Sequence, residues 1–285
     1  MKLWLLTAFT LIAFAANSLL ARMALGGLGG SELIDPVTYT TLRLVSGALF
    51  LLPIALLTAE PKPSGKRSGS WASGLALFVY AITFSLAYIS LSAGTGALIL
   101  FGAVQATMIS AGLRSGERLS ALQWLGLGAA IGGLFYLVLP GITAPDPLGA
   151  ALMLVAGIAW GVYSLRGHGV SAPIAATTGN FLRAAPLAIL VSVVAHSLIH
   201  FNNLGVVLAV VSGAVTSGLG YVLWYTTLRG LTATTAAILQ LLVPVIAALG
   251  GVAFLSETLS IRLLIASALI LGGVALAVIK QAETR

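Results

Sequence analysis

The chain has no cysteine among its 285 residues. That excludes a disulfide framework, a thiolate nucleophile and a cysteine-ligated metal. Charge is scarce too. Asp, Glu, Lys and Arg make up 7% of the sequence, against roughly a quarter in an ordinary soluble protein. So few charges cannot cover a water-facing surface of this size, so the solvent must be largely lipid. Acid is the scarcest, with 7 Asp and Glu against 14 Lys and Arg. None of these acids falls near the middle of an apolar stretch, so no buried carboxylate relay for protons is visible. The 3 histidines have no Cys, HExxH or carboxylate at metal spacing, and neither a metal nor another cofactor is expected.

What is present is apolar. Hydrophobic residues make up 59% of the chain, and there are 33 glycines, which suit close helix packing in lipid. A bilayer core needs about 20 apolar residues per helix. The sequence predicts ten such spans, at 3–24, 35–57, 71–91, 95–113, 120–139, 148–166, 173–196, 204–228, 232–254 and 259–280. The connections are short and leave no room for a soluble domain. The net charge of +7 would suggest nucleic acid in a soluble domain. Here the basic residues sit at span ends, so no nucleic-acid partner is expected.

With the N-terminus inside, Lys2, Lys62, Lys66, Arg67, Arg114, Arg118, Arg166, Arg229, Lys280 and Arg285 all fall inside. Only Arg22 and Arg262 fall outside. The positive-inside rule then puts both termini in the cytoplasm, with the chain in the cell inner membrane.

The chain also repeats itself. At one constant offset, Thr95–Val138 falls on Thr235–Val278 without a gap. Glu117 falls on Glu257, Gly132-Gly133 on Gly272-Gly273, and Leu42-Arg43 on Leu182-Arg183. A slightly different offset lays Ala13-Phe14 on Ala159-Trp160. The first 21 residues resemble a signal peptide, but this counterpart in mid-chain marks them as a retained first helix. Each unit has five helices, so the second must enter from the opposite face. The expected fold is all-α and integral to the membrane: ten transmembrane helices in two inverted five-helix repeats around a central cavity, residues 1–142 and 143–285.

Tyr225–Val274 carries a mid-helix Pro244, an apolar run ending in Leu255-Ser256-Glu257, and a helix ending in Gly272-Gly273. The first half echoes it through Gly116, Glu117, Leu119, Gly132 and Gly133. This pattern resembles the drug/metabolite transporter superfamily, in its ten-helix EamA-like group, over essentially the whole chain. Within that group the chain looks most like bacterial exporters of aromatic amino acids and methyl viologen. It departs from the pattern at Val104, where the second half has Pro244, and at Ser256, which replaces the usual Gly. The resemblance implies a cavity lined mainly by the first, third, fourth, sixth, eighth and ninth helices.

Several residues could serve such a cavity. Asn17, Gln105 and Gln240 are amides within the first, fourth and ninth spans. Each must face protein or a wet cavity. They either hold the ammonium and carboxylate of an amino acid or bond between helices, and the sequence leaves both open. Tyr80, Phe84 and Tyr88 recur every four residues and form one stripe on the third helix. Phe101 shares a face with Gln105, and Trp160 and Tyr163 are three apart on the sixth helix. Such rings suit a flat substrate. Tyr221, Trp224 and Tyr225 cluster on the eighth, with the last two close enough to its end to read as interfacial belt residues. Trp4, Trp71 and Trp124 read as belt residues as well.

The remaining features have structural readings. Arg43 and Arg183 lie within spans. Contact with a substrate or gate is one reading, but their repeat-equivalent positions favour shared packing. Glu117 and Glu257 are read as caps of the helices that follow them. Glu32, Asp35 and Asp146 are read as solvated at the outer surface. Pro244 is expected to kink the ninth helix, and Gly126, Gly128, Gly132 and Gly133 to allow tight packing.

The reading is thus a non-enzymatic exporter of small organic solutes working by alternating access, with amino acids including aromatic ones as substrates. Its partners are a small-molecule substrate and the lipid bilayer, and it is expected as a monomer. The alternatives are an exporter of cationic drugs or other metabolites, and a channel or receptor-like protein. A membrane enzyme would need a nucleophile with a buried base or metal, and none is visible.

Overall fold

The computed structural model of the chain describes residues 2–26, 32–58, 69–114, 121–141, 144–167, 170–228 and 239–283. Gly116, Glu117, Leu119 and His168 lie outside the described residues, as does the start of the ninth span. The helices are α1 Lys2–Leu25, α2 Pro36–Leu57, α3 Trp71–Ala87, α4 Ala93–Arg114, α5 Ala121–Val138, α6 Pro147–Gly167, α7 Pro173–Val194, α8 Asn203–Leu228, α9 Leu242–Leu255 and α10 Ile261–Glu283. Seven of them are long and apolar enough to cross a membrane. The shorter apolar helices are Trp71–Ala87, Leu242–Leu255 and, in α10, Ile261–Leu276. Among the described residues there is no strand, only an isolated bridge between Ile34 and Phe201.

Local chemistry sets the helix starts. Pro36, Pro147 and Pro173 open α2, α6 and α7, where a missing N–H costs nothing. Asp35 caps α2 by accepting from the amides of Val37 and Thr38. Ser70 caps α3 and Asn202 caps α8. α3 ends at Ala87, earlier than the apolar run, because residues 88–90 turn sharply into α4.

The outside of the bundle is oily. Leu57, Leu56, Ile261 and Phe254 are all exposed by 70% or more. Such a surface is stable only against lipid. Trp4, Trp71 and Trp124 are exposed.

Hydrogen bonds show which helix ends lie together. At one end, Asp35 pairs through its backbone with His200, and Asn202 donates to Leu33. Ser90 bonds Asp146, and Arg262 donates to the Leu139 carbonyl. At the opposite end, Arg166 and Asn180 bond the start of α3.

Helices in corresponding places of the two halves pack on each other: α2 on α7, α4 on α9 and α5 on α10. A Cβ on Gly133 would press on Leu269 and Ile270, and one on Gly273 would overlap the Gly126 carbonyl. Gly132 and Gly128, expected as packing residues, have nothing within 4 Å of a Cβ. They face outward because the helix turns them away from the α5–α10 seam.

Two acidic residues behave differently from expectation. Asp35 is not solvated: it is 3% exposed, and besides capping α2 it accepts from the His200 amide at 3.0 Å. Glu257 does not cap the following helix, which Ser260 caps. It reaches α4 instead.

Candidate functional site

The centre of the bundle holds a small chamber lined by Phe14, Asn17 and Ser18 of α1, Tyr80 and Phe84 of α3, Leu100 and Phe101 of α4, Trp160 of α6 and Tyr221 of α8. Its volume is about 10 Å³, room for about one water. Trp160 is the middle of an aromatic box. Its ring lies 5.6 Å from Phe14, 5.0 Å from Tyr80, 5.4 Å from Tyr163 and 4.5 Å from Tyr221.

α8 supplies the polar wall. Its middle, Ser212–Leu219, winds as a π-helix, a widened turn often found at functional sites. The wider turn aims Ser212, Thr216 and Ser217 together at α1. Asn17 Oδ1 accepts from Ser212 at 2.7 Å and Thr216 at 3.0 Å. Its Nδ2 donates to Ser217 at 3.2 Å and to the Tyr221 hydroxyl at 3.4 Å. Gly213 is obligatory here, since a Cβ would overlap the Arg43 carbonyl.

Arg43 stands against this wall. It is 1% exposed and therefore does not snorkel. Nε donates to Ser217 at 2.9 Å, and Nη2 donates to Tyr80 at 3.1 Å and Tyr221 at 2.9 Å. The guanidinium carbon also lies 5.2 Å from the Tyr80 ring centroid and 4.8 Å from that of Phe84. Nη1 is buried with no hydrogen-bond partner among the described residues. Arg183, its counterpart in the sequence repeat, is only half-buried, and its Nη1 donates to Gly179 of its own helix at 2.6 Å. The repeat position is shared, but the environment is not.

Two polar clusters of different chemistry flank the chamber toward opposite ends of the bundle. At one end Arg22 pairs with Glu257 at 3.3 Å and donates to the carbonyls of Tyr88 and Ile89 at 3.2 and 2.9 Å. Both Glu257 oxygens accept from the Ala93 amide at 3.0 Å, so the carboxylate caps α4. Four segments are tied by two side chains. At the other end Arg166 donates to Ser73 at 3.0 Å and Ser70 at 3.3 Å, and Asn180 accepts from the Ser70 amide. Asn180 also reaches the Tyr163 hydroxyl at 3.4 Å, and Tyr163 stacks on Tyr225 at 5.6 Å.

The expected site residues therefore separate. Asn17, Tyr80, Phe84, Phe101 and Trp160 line the chamber together. Tyr88 and Tyr163 are fully buried just beyond it, one toward each polar cluster. Gln105 is buried but does not line the chamber. Gln240 is buried, and neither amide atom has a hydrogen-bond partner among the described residues. It directly precedes an interruption of the helix at Leu241, where Pro244 has no N–H to offer the Gln240 carbonyl. Trp224 and Tyr225 are not belt residues, at 2% and 3% exposure. Trp224 packs on Phe14, 5.6 Å between centroids, because α8 continues inside the bundle. Phe14, Ser18 and Ser217 went unassigned by sequence, and Tyr221 was read only as part of the aromatic cluster on α8. Only the repeat match of Phe14 with Trp160 and the aromatic cluster on α8 pointed toward them. Among the described residues no group of acidic and histidine side chains could hold a metal.

Comparison with known proteins agrees with this picture. Residues 2–139 and 147–279 each match the EamA-like transporter family. An uncharacterized protein of Pseudomonas aeruginosa is 50% identical over 272 residues, 95% of this chain and 93% of its own length. A solved crystal structure superposes with a TM-score of 0.68 at 20% identity, covering 100% of this chain and 99% of that one, which shows the fold alone. The chain is a multi-pass membrane protein of the EamA-like transporter family, whose members carry small solutes across the bilayer.

Proposed function

We propose that this protein exports amino acids, aromatic ones included, by alternating access across the inner membrane. Its ten helices form two inverted five-helix halves, with both termini cytoplasmic. The observation that carries this reading is a closed aromatic chamber with a separate polar latch at each end. Opening one latch at a time would expose the same chamber to one side and then the other. The pairing of α2 with α7, α4 with α9 and α5 with α10 supports the two-fold arrangement such a device needs. The aromatic box fits a flat side chain, and the hydroxyls and the Asn17 amide fit its polar groups.

Cationic drugs fit less well. Arg43 is a buried positive charge that makes no ion pair among the described residues. Its repulsion of a cation is strong where water is excluded. The test is uptake of labelled phenylalanine, threonine and methionine by proteoliposomes, with and without unlabelled amino acid preloaded inside. Saturable phenylalanine uptake, accelerated by preloading, supports the reading. Unsaturable uptake indifferent to preloading indicates a channel. No uptake of any of the three removes the amino-acid assignment.

A further inference from the structure

We infer that Arg43, with the hydroxyls of Tyr80 and Tyr221, is a carboxylate anchor, and that a transported solute must carry a carboxylate. This deepens the transporter reading and rests on it.

The hydrogen bonds lead to it by counting. Arg43 has five N–H donors and no acceptor. Nε and Nη2 are used, while Nη1 is buried with no partner among the described residues. Tyr80 and Tyr221 both accept from Nη2. Their oxygens are 3.3 Å apart, so one hydroxyl donates to the other. Two hydroxyls have two hydrogens, and this bond uses one. The other has no acceptor among the described residues. Asn17 Oδ1, the nearby carbonyl-type acceptor, is already taken by Ser212 and Thr216. The cluster therefore has surplus donors, a full positive charge and no carboxylate to balance it. A buried charge left in this way is costly, and buried polar atoms left unpaired call for a partner.

An anion with two acceptor oxygens answers each of these deficits. A carboxylate matches the planar fork of an arginine and takes an additional hydroxyl donor. Arg43 itself stands behind the chamber wall, but Tyr80 and Tyr221, which it bonds, line the chamber, so a carboxylate held by their hydroxyls and the guanidinium behind them would leave the attached side chain among Phe84, Phe101 and Trp160. Shared packing between the halves does not explain the arrangement, because Arg183 bonds its own helix and is half-buried.

Three probes with the same ring test the inference: 3-phenylpropionate, with a carboxylate and no amine; phenethylamine, with an amine and no carboxylate; and L-phenylalanine, with both. Each is titrated against the purified protein in detergent, and binding is read as a rise in melting temperature. The expected result is that 3-phenylpropionate and L-phenylalanine stabilise the protein and phenethylamine does not. Arg43→Gln should weaken 3-phenylpropionate binding at least about tenfold, as expected for losing a charged hydrogen bond. Tyr80→Phe should weaken it about threefold or more. If Arg43→Gln does not fold, the wild-type panel and Tyr80→Phe still decide. Phenethylamine binding as well as 3-phenylpropionate would overturn the anchor, and so would an absence of 3-phenylpropionate binding or unchanged affinity in Tyr80→Phe. If 3-phenylpropionate binds but phenylalanine is not transported, the anchor stands and the amino-acid assignment falls. If phenylalanine is transported but phenethylamine binds equally well, the assignment stands and the anchor falls.

Discussion

Arg22 and Glu257 are 235 positions apart in the chain and meet at 3.3 Å. In the proposed function this contact closes one end of the chamber. It also ties α1 to α4 and to the end of α3, because Glu257 caps Ala93 and Arg22 bonds the carbonyls of Tyr88 and Ile89. A latch that joins so many segments by two side chains can open in one step. The two side chains are 25% and 14% exposed, so the ion pair itself is partly screened and contributes modestly, within about 1 kcal/mol.

Glu257→Gln should therefore lower the melting temperature only slightly, because it keeps an acceptor for Ala93. Glu257→Ala should cost about 1 kcal/mol more, the usual value of a lost cap. In a cycle with Arg22→Gln, Glu257→Gln should be non-additive. Additive effects in thermal melts would show that the two side chains are not coupled.

Asn17 is the acceptor on which Ser212 and Thr216 converge. Asn17→Leu leaves the Ser212 hydroxyl without its acceptor in the core, at about 1–3 kcal/mol, while Thr216 keeps its bond to the Ser212 carbonyl. A large drop in melting temperature is expected, well beyond that of Ser212→Ala, which removes one donor and leaves Asn17 its other partners. Equal, small effects in the two variants would show that the wide turn of α8 does not depend on Asn17.

Glycines offer a cleaner contrast. Gly213→Ala would drive a Cβ into the Arg43 carbonyl, which is backbone and cannot yield cheaply. It should abolish folding or transport. Gly132→Ala and Gly272→Ala meet nothing within 4 Å. They should be neutral or stabilising by up to about 1 kcal/mol, the helix-propensity difference. Expression level and melting temperature of the three variants check this, and a well-folded, active Gly213→Ala would contradict the packing.

No Asp or Glu lines the chamber. Asp35 is buried, but as a helix cap at one end. Transport should therefore be indifferent to an imposed pH gradient. Uptake that collapses with the gradient, with protons moved in a fixed ratio to solute, would contradict this.

Much of the bundle was legible in sequence, because lipid demands long apolar runs and leaves little ambiguity about where they lie. Span limits agree with α1, α2 and α4–α8 to within a few residues. Side-chain roles were less legible where they depend on helix winding. Arg43 and Arg183 are equivalent in the repeat, yet only Arg43 meets Ser217 and Tyr221. The reason is the π segment of α8, which no periodicity announces. Trp224 and Tyr225 were misplaced for a related reason. Distance from a span end says nothing about whether that end is covered by neighbouring helices. Gly132 and Gly133 are adjacent and read alike, but a helix turns successive residues about 100° apart, so only one faces the seam.

In the proposed cycle one chamber is reached from either side of the membrane in turn. The natural absence of cysteine makes this directly testable. Ser18 lines the chamber and is 1% exposed, so Ser18→Cys gives a single buried reporter. Oriented vesicles carrying this variant are treated with a membrane-impermeant maleimide from one face or the other, with and without phenylalanine. Labelling should be slow from both faces, with a substrate-dependent change in rate at each. Labelling from one face only, under every condition, would contradict this.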